Sequence, residues 1–131
     1  MKFESVYRRK DSANVLYKLL SERTPEQSIS HKGMPTLEEH LKFIALKPYH
    51  AWYLIVDEDE TVGSIYLTKQ REIGIFIFNK FQKQGYAEEA IKLLMEKWPG
   101  RFLANVNPLN VPSIGLFNKM GFKLIQQTYA L

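Results

Sequence analysis

Residues 72–98, EIGIFIFNKFQKQGYAEEAIKLLMEKW, decide how the rest of the chain is arranged. Residues 72–78 are apolar after Glu72 and rich in isoleucine and phenylalanine. Such a run is too short for a globular helix and reads as a buried strand. A polar loop, residues 79–84, follows. Beyond Gly85 the apolar residues Ala87, Ala90, Ile91, Leu94, Met95 and Trp98 recur at the three- and four-residue steps of an amphipathic helix. Gly85 therefore stands at a helix start. The first turn of a helix leaves backbone N–H groups without internal partners at the positive end of the peptide dipole, which suits a phosphate. Gly85 lacks a Cβ that would keep a pyrophosphate from the backbone, Ala87 keeps the next turn small, and Lys80 and Lys83 add positive charge. Taken alone, these residues fit a permissive turn glycine flanked by solvated lysines equally well.

The chain has 131 residues, 45% hydrophobic and 24% charged, the profile of one globular domain with a modest core. Its apolar runs fall well short of the ~18 residues of a membrane span, and residues 1–4 lack the apolar core of a signal peptide. The expectation is a cytoplasmic protein without a membrane partner. Zero cysteines exclude a disulfide framework, a thiolate zinc site and a cysteine nucleophile. His31, His40 and His50 lack a metal-ligand spacing, with His40 expected at a helix surface, so no metal is expected. The formal net charge of +4 favours an anionic partner. Basic and aromatic residues do not interleave as nucleic-acid binding requires, and a small phosphate-rich ligand accounts for the charge.

Around the central stretch, residues 1–7 read as a short strand. Asp11 or Ser12 caps a helix with Ala13, Leu16, Leu19 and Leu20 on one face. Residues 21–35 are irregular. Thr36 and Glu39 form a capping box for a helix that buries Leu37, Leu41, Ile44 and Ala45 and closes before Pro48. Two strands, residues 51–56 and 62–67, joined by an acidic turn, lead by another short turn into the Glu72 strand, so the three form an antiparallel meander. Pro99 and Gly100 stop the central helix, residues 102–106 give a strand reached by a right-handed crossover, and Asn110 caps a last helix that Gly121 ends. Residues 122–131 read as a final strand. The whole, residues 1–131, is a single α/β domain of the α+β kind, with a mixed, partly antiparallel sheet of about six strands and four helices.

This order of elements, together with Gln82-x-x-Gly85-x-Ala87 and Asn107-Pro108-x-Asn110-x-x-Ser113-x-x-x-Phe117-x-Lys119-x-Gly121-Phe122, resembles the GNAT family of acyl-CoA-dependent N-acetyltransferases. The resemblance implies that acetyl-CoA is the co-substrate and a primary amine the acceptor. It implies that Gln82, Lys83, Gln84, Gly85, Tyr86 and Ala87 hold the CoA pyrophosphate through their backbone. Ile77 and Phe78 match the end of a splayed strand that pairs with pantetheine and presents an N–H to the thioester oxygen. Asn107, Asn110 and Ser113 match positions at the cofactor, with Asn107 toward the acceptor side. Glu72 is the candidate general base, read equally well as a solvent-facing turn glutamate. Tyr49, His50 and Trp52 are expected to line the acceptor pocket with the loop of residues 21–35.

Two departures from the family pattern stand out. Phe117 occupies a position where many members carry a tyrosine that protonates the departing thiolate. Only residues 122–131 follow the last glycine, room for one strand where the family has two, and the open edge leaves a place for a partner subunit such as a homodimer. The alternative function is an acyl-CoA-binding module that turns over weakly or not at all.

Overall fold

A computed structural model describes residues 1–24 and 34–131. His31, Gly33 and most of the polar stretch expected to border the acceptor lie outside the described residues. The described chain runs β1 (Lys2–Ser5), α1 (Ser12–Ser21), α2 (Leu37–Ala45), β2 (Ala51–Asp57), β3 (Glu60–Leu67), β4 (Glu72–Ile77), α3 (Tyr86–Lys97), β5 (Leu103–Ala104) and α4 (Val111–Lys119). One sheet has the order β1-β2-β3-β4-β5, antiparallel throughout except for the β4–β5 pair.

Local chemistry explains most of the boundaries. Glu58 and Asp59, both at positive φ (48° and 66°), form the two-residue turn that matches the twist of the β2–β3 hairpin. Thr36 accepts from the Glu39 N–H while Glu39 reaches back to the Thr36 N–H, the reciprocal box expected for α2. Gly85, at φ 85°, starts α3. At the end of α4 the Gly121 N–H donates to Asn118 O and the Phe122 N–H to Phe117 O, a paired closure that requires the left-handed Gly121 (φ 93°). Asp11 precedes α1 without a side-chain cap, because its carboxylate is held by Arg9 at 2.7 Å.

The sheet separates two apolar clusters. Ile55, Ile65, Leu67 and Ile73 pack against Ala90, Ile91 and Leu94 of α3. Trp52, Leu54 and Phe78 pack against Leu16 and Leu19 of α1 on the opposite face. Successive β4 residues alternate between these layers: Ile73, Ile75 and Ile77 face α3, and Gly74, Phe76 and Phe78 face α1.

Two expectations require correction. His40 is 4% exposed, whereas Leu37 and Leu41 are exposed. The contact face of α2 is turned toward α1, where the His40 Nε2 stands 3.1 Å from Ala13 O and the ring meets Tyr17 at 5.2 Å. Burial lowers the His40 pKa, against the smaller opposing effect of the Ala13 carbonyl, so the ring is neutral at pH 7. The second correction is at the carboxyl end. Residues 122–131 form no strand, and Leu124, Ile125 and Tyr129 are exposed. The reason lies in β5, which pairs with β4 only at Glu72↔Leu103 and Ile73↔Ala104 and then leaves it. A two-residue strand offers no edge for the tail to extend. Among the described residues the sheet has five strands, close to the six expected. No described helix is long and apolar enough to cross a membrane.

Candidate active site

The early parting of β5 from β4 opens a V in the sheet. In the antiparallel β3–β4 ladder the Phe78 N–H donates to Val62 O at 2.9 Å and the Thr68 N–H to Glu72 O at 2.9 Å. Hydrogen-bonded positions alternate along such a ladder, so residues 72, 74 and 76 of β4, and Phe78 just after it, face β3. The backbones of Ile75 and Ile77 face the other way, into the V, where β5 has already turned aside. A cleft of ≈ 820 Å³ occupies this space, bordered by β4, the start of α3 and α4.

At its closed end lies Glu72. Its carboxylate accepts from Thr68 Oγ1 at 3.3 Å and from Asn105 Nδ2. One wall is the start of α3, whose first intrahelical bond runs from the Glu89 N–H to Gly85 O. The N–H groups of Tyr86, Ala87 and Glu88 thus have no partner within the helix. A Cβ built on Gly85 meets nothing within 4 Å, so the space above this backbone is open. The preceding loop is braced from inside: Gln82 Nε2 donates to Ile77 O at 3.1 Å and Gln84 Nε2 to Lys80 O at 3.2 Å. Tyr86 Oη donates to Asp57 Oδ2 at 2.8 Å, pinning the first turn to the β2–β3 hairpin and lowering the Asp57 pKa.

The opposite wall is α4 and the segment before it. Asn107 Oδ1 accepts from the Leu109 N–H at 2.9 Å, and Asn110 Oδ1 accepts from the Ser113 N–H at 3.3 Å as the expected cap. Phe117, 8% exposed, joins the α3-side core and meets Phe122 edge to face at 5.0 Å. Phe117→Ala is expected to destabilise the fold by about 3 kcal/mol or more, from the cavity left behind. Chemical denaturation of the variant checks this. Lys119 and Glu88 form an ion pair of 3.2 Å that joins α4 to α3 across the mouth.

Glu72, Ile77, Gln82, Lys83, Gly85, Tyr86, Ala87, Asn107, Asn110, Ser113 and Tyr49 all border this one cleft. Phe78 does not: its side chain is buried against α1 and its N–H is bonded to Val62. The open donors are those of Ile75 and Ile77, a distinction that only the ladder register reveals. Gln84 braces the loop from outside the cleft. His50 packs on Trp98 at 4.7 Å, and Trp52 is buried among Tyr49, Phe43 and Tyr7, so neither reaches the cleft. The sequence reading missed Arg23, Tyr66 and Phe76, which line the end of the cleft toward α1. Tyr66 stacks on Tyr49 at 3.8 Å and 1°, and burial raises the pKa of both phenols. No group of described His, Cys, Asp or Glu residues is placed to hold a metal ion.

Comparison with known proteins matches a family model described as "Acetyltransferase (GNAT) domain" to residues 5–123. The peptidyl-lysine N-acetyltransferase YjaB of Salmonella typhimurium is 33% identical over 73 residues, which is 56% of this chain and 50% of that protein. The match spans half the length of that relative. An acetyltransferase structure from Thermus thermophilus superposes with a TM-score of 0.73 at 19% identity, covering 95% of this chain and 88% of that one. An N-acetyltransferase from Staphylococcus aureus gives 0.68 at 14% identity, covering 93% of this chain and 81% of that one.

Proposed function

The chain belongs to the GNAT family of acetyltransferases, and from that premise we propose that it moves the acetyl group of acetyl-CoA to a primary amine by direct attack in a ternary complex. The observation that carries this reading is the parted β4–β5 pair, which turns the Ile75 and Ile77 backbones toward the same cleft as the unpartnered N–H groups of Tyr86, Ala87 and Glu88. An extended pantetheine arm pairs with the open strand edge, and the pyrophosphate takes the helix start. The two sites recognise adjoining parts of one ligand.

Each step falls to a group of this chain. As a neutral amine attacks the thioester, the N–H of Ile75 or Ile77 stabilises the charge that develops on the carbonyl oxygen. One such donor contributes on the order of 3 kcal/mol. Glu72 takes the amine proton, directly or through water, its carboxylate held in place by Thr68 and Asn105. The departing thiolate receives no proton from Phe117. An unperturbed thiol has a pKa near ~8.5, so a thiolate leaves at neutral pH without an acid. Tyr129 on the tail does not supply a substitute acid: it is exposed, bonded to Gln127, and does not border the cleft.

Calorimetric titration with CoA and release of free thiol with a panel of amines test the reading. Saturable CoA binding with amine-dependent thiol release supports it, and absence of binding at millimolar CoA overturns it. Binding without turnover would select a non-catalytic acyl-CoA-binding module, the reading favoured by Phe117. Phe117→Tyr is expected to keep or raise turnover, checked by the same thiol assay.

A further inference from the structure

The end of the cleft toward α1 has a composition that acetyl transfer alone does not require. Arg23 follows α1, and its guanidinium lies over the ring of Phe76 at 4.6 Å. Its Nε is buried without a hydrogen-bond partner, and among the described residues no carboxylate forms an ion pair with it. The neighbouring Glu22 is committed elsewhere, accepting from the Asn79 N–H at 2.7 Å. Arg23 itself borders the cleft, and a guanidinium without a carboxylate partner among the described residues suits an incoming anion with two acceptor oxygens.

Phe76 lies on β4 between Ile75 and Ile77, whose N–H groups face the thioester in the reading above. The guanidinium therefore lies on the α1 side of the β4 segment whose N–H groups face the thioester in that reading. Tyr49 and Tyr66 border the same end. Burial keeps both phenols protonated.

We propose that the amine acceptor carries a carboxylate a few bonds from its amine, as in a small amino acid, and that Arg23 binds that carboxylate. The inference rests on the transferase reading. A fixed positive charge beside the amine also disfavours its ammonium form, and the neutral amine is the nucleophile. Arg suits the task better than Lys because its planar fork meets a carboxylate with two parallel bonds.

The test uses glycine, β-alanine and 4-aminobutyrate, each beside its primary carboxamide, with acetyl-CoA saturating. In the unaltered protein, kcat/KM for the preferred carboxylate should exceed that of its carboxamide by about tenfold or more, the range of one charge-assisted hydrogen bond. Arg23→Gln should bring that ratio close to one through KM for the carboxylate, and Arg23→Lys should retain part of it. Equal use of both members by the unaltered protein, or an Arg23→Gln ratio equal to that of the unaltered protein, would overturn the proposal. Thermal melts establish that the variants fold. If no amine is acetylated, calorimetric titration of the CoA-saturated protein with the same pairs still decides. Carboxylate binding lost in Arg23→Gln keeps the anion site while the transfer reading fails, and no carboxylate binding removes the site.

Discussion

Glu72→Gln is expected to lower turnover by about a hundredfold to ten-thousandfold, the range a positioned base contributes. CoA affinity should stay nearly unchanged. The two readouts separate because Glu72 sits at the closed end of the V, where β4 and β5 still pair, and the helix start proposed to take the pyrophosphate begins at Tyr86 beyond the far end of β4. Gln keeps the shape and retains one oxygen able to accept from Thr68 or Asn105, so the substitution removes the charge and the proton acceptor more than the scaffold. A rate unchanged within about threefold at saturating acceptor would retire Glu72 as the base. An already neutral amine releasing its proton to bulk water would then replace it.

Gly85→Val should raise the CoA dissociation constant by about a hundredfold or more. Two effects add. The new side chain enters the open space above the helix start, where a Cβ meets nothing beyond its own chain neighbours within 4 Å, and so is expected to meet ligand. A φ of 85° is also left-handed, and a residue with a Cβ pays about 1–2 kcal/mol to adopt it, more when branched. Some stability is therefore lost, and a denaturation curve must accompany the titration. Gly85→Ala separates the terms, since it carries most of the backbone strain with little of the bulk. Normal CoA affinity in folded Gly85→Val would place the phosphate site elsewhere.

What the sequence discloses here is local chemistry. Thr36 with Glu39, Asn110 with Ser113, and glycines 85 and 121 each fix a helix end through atoms within three or four residues, and each forms as read. The meander was equally legible, because alternation and short turns leave antiparallel pairing as the only geometry. His40 was not, since its burial depends on Ala13 and Tyr17 from another helix, and a histidine among charged residues carries no sign of that. Arg23 was hidden for the same reason: it follows α1 as one more basic residue until Phe76 comes beneath it. The length of β5 was hidden as well. Residues 102–106 have the composition of a strand, yet pairing stops after Ala104, and from that follow the open edges of Ile75 and Ile77 and the unpaired tail.

The same two-residue strand bears on how the molecule breathes. Backbone bonding ties the region after residue 104 to the sheet at one short ladder, with the Phe117 side chain and the Glu88–Lys119 pair as further ties. In hydrogen-exchange terms α4 is expected to behave as a separate opening unit, whose amides should exchange from a state in which the meander and α3 remain intact. A ligand that grips both walls binds only the closed form. Saturating CoA should therefore slow exchange across α4 by roughly the factor 1 + [L]/Kd while leaving β2 and β3 to exchange as before. The thin seam between β4 and β5 thus makes the carboxyl-terminal wall a reporter of occupancy.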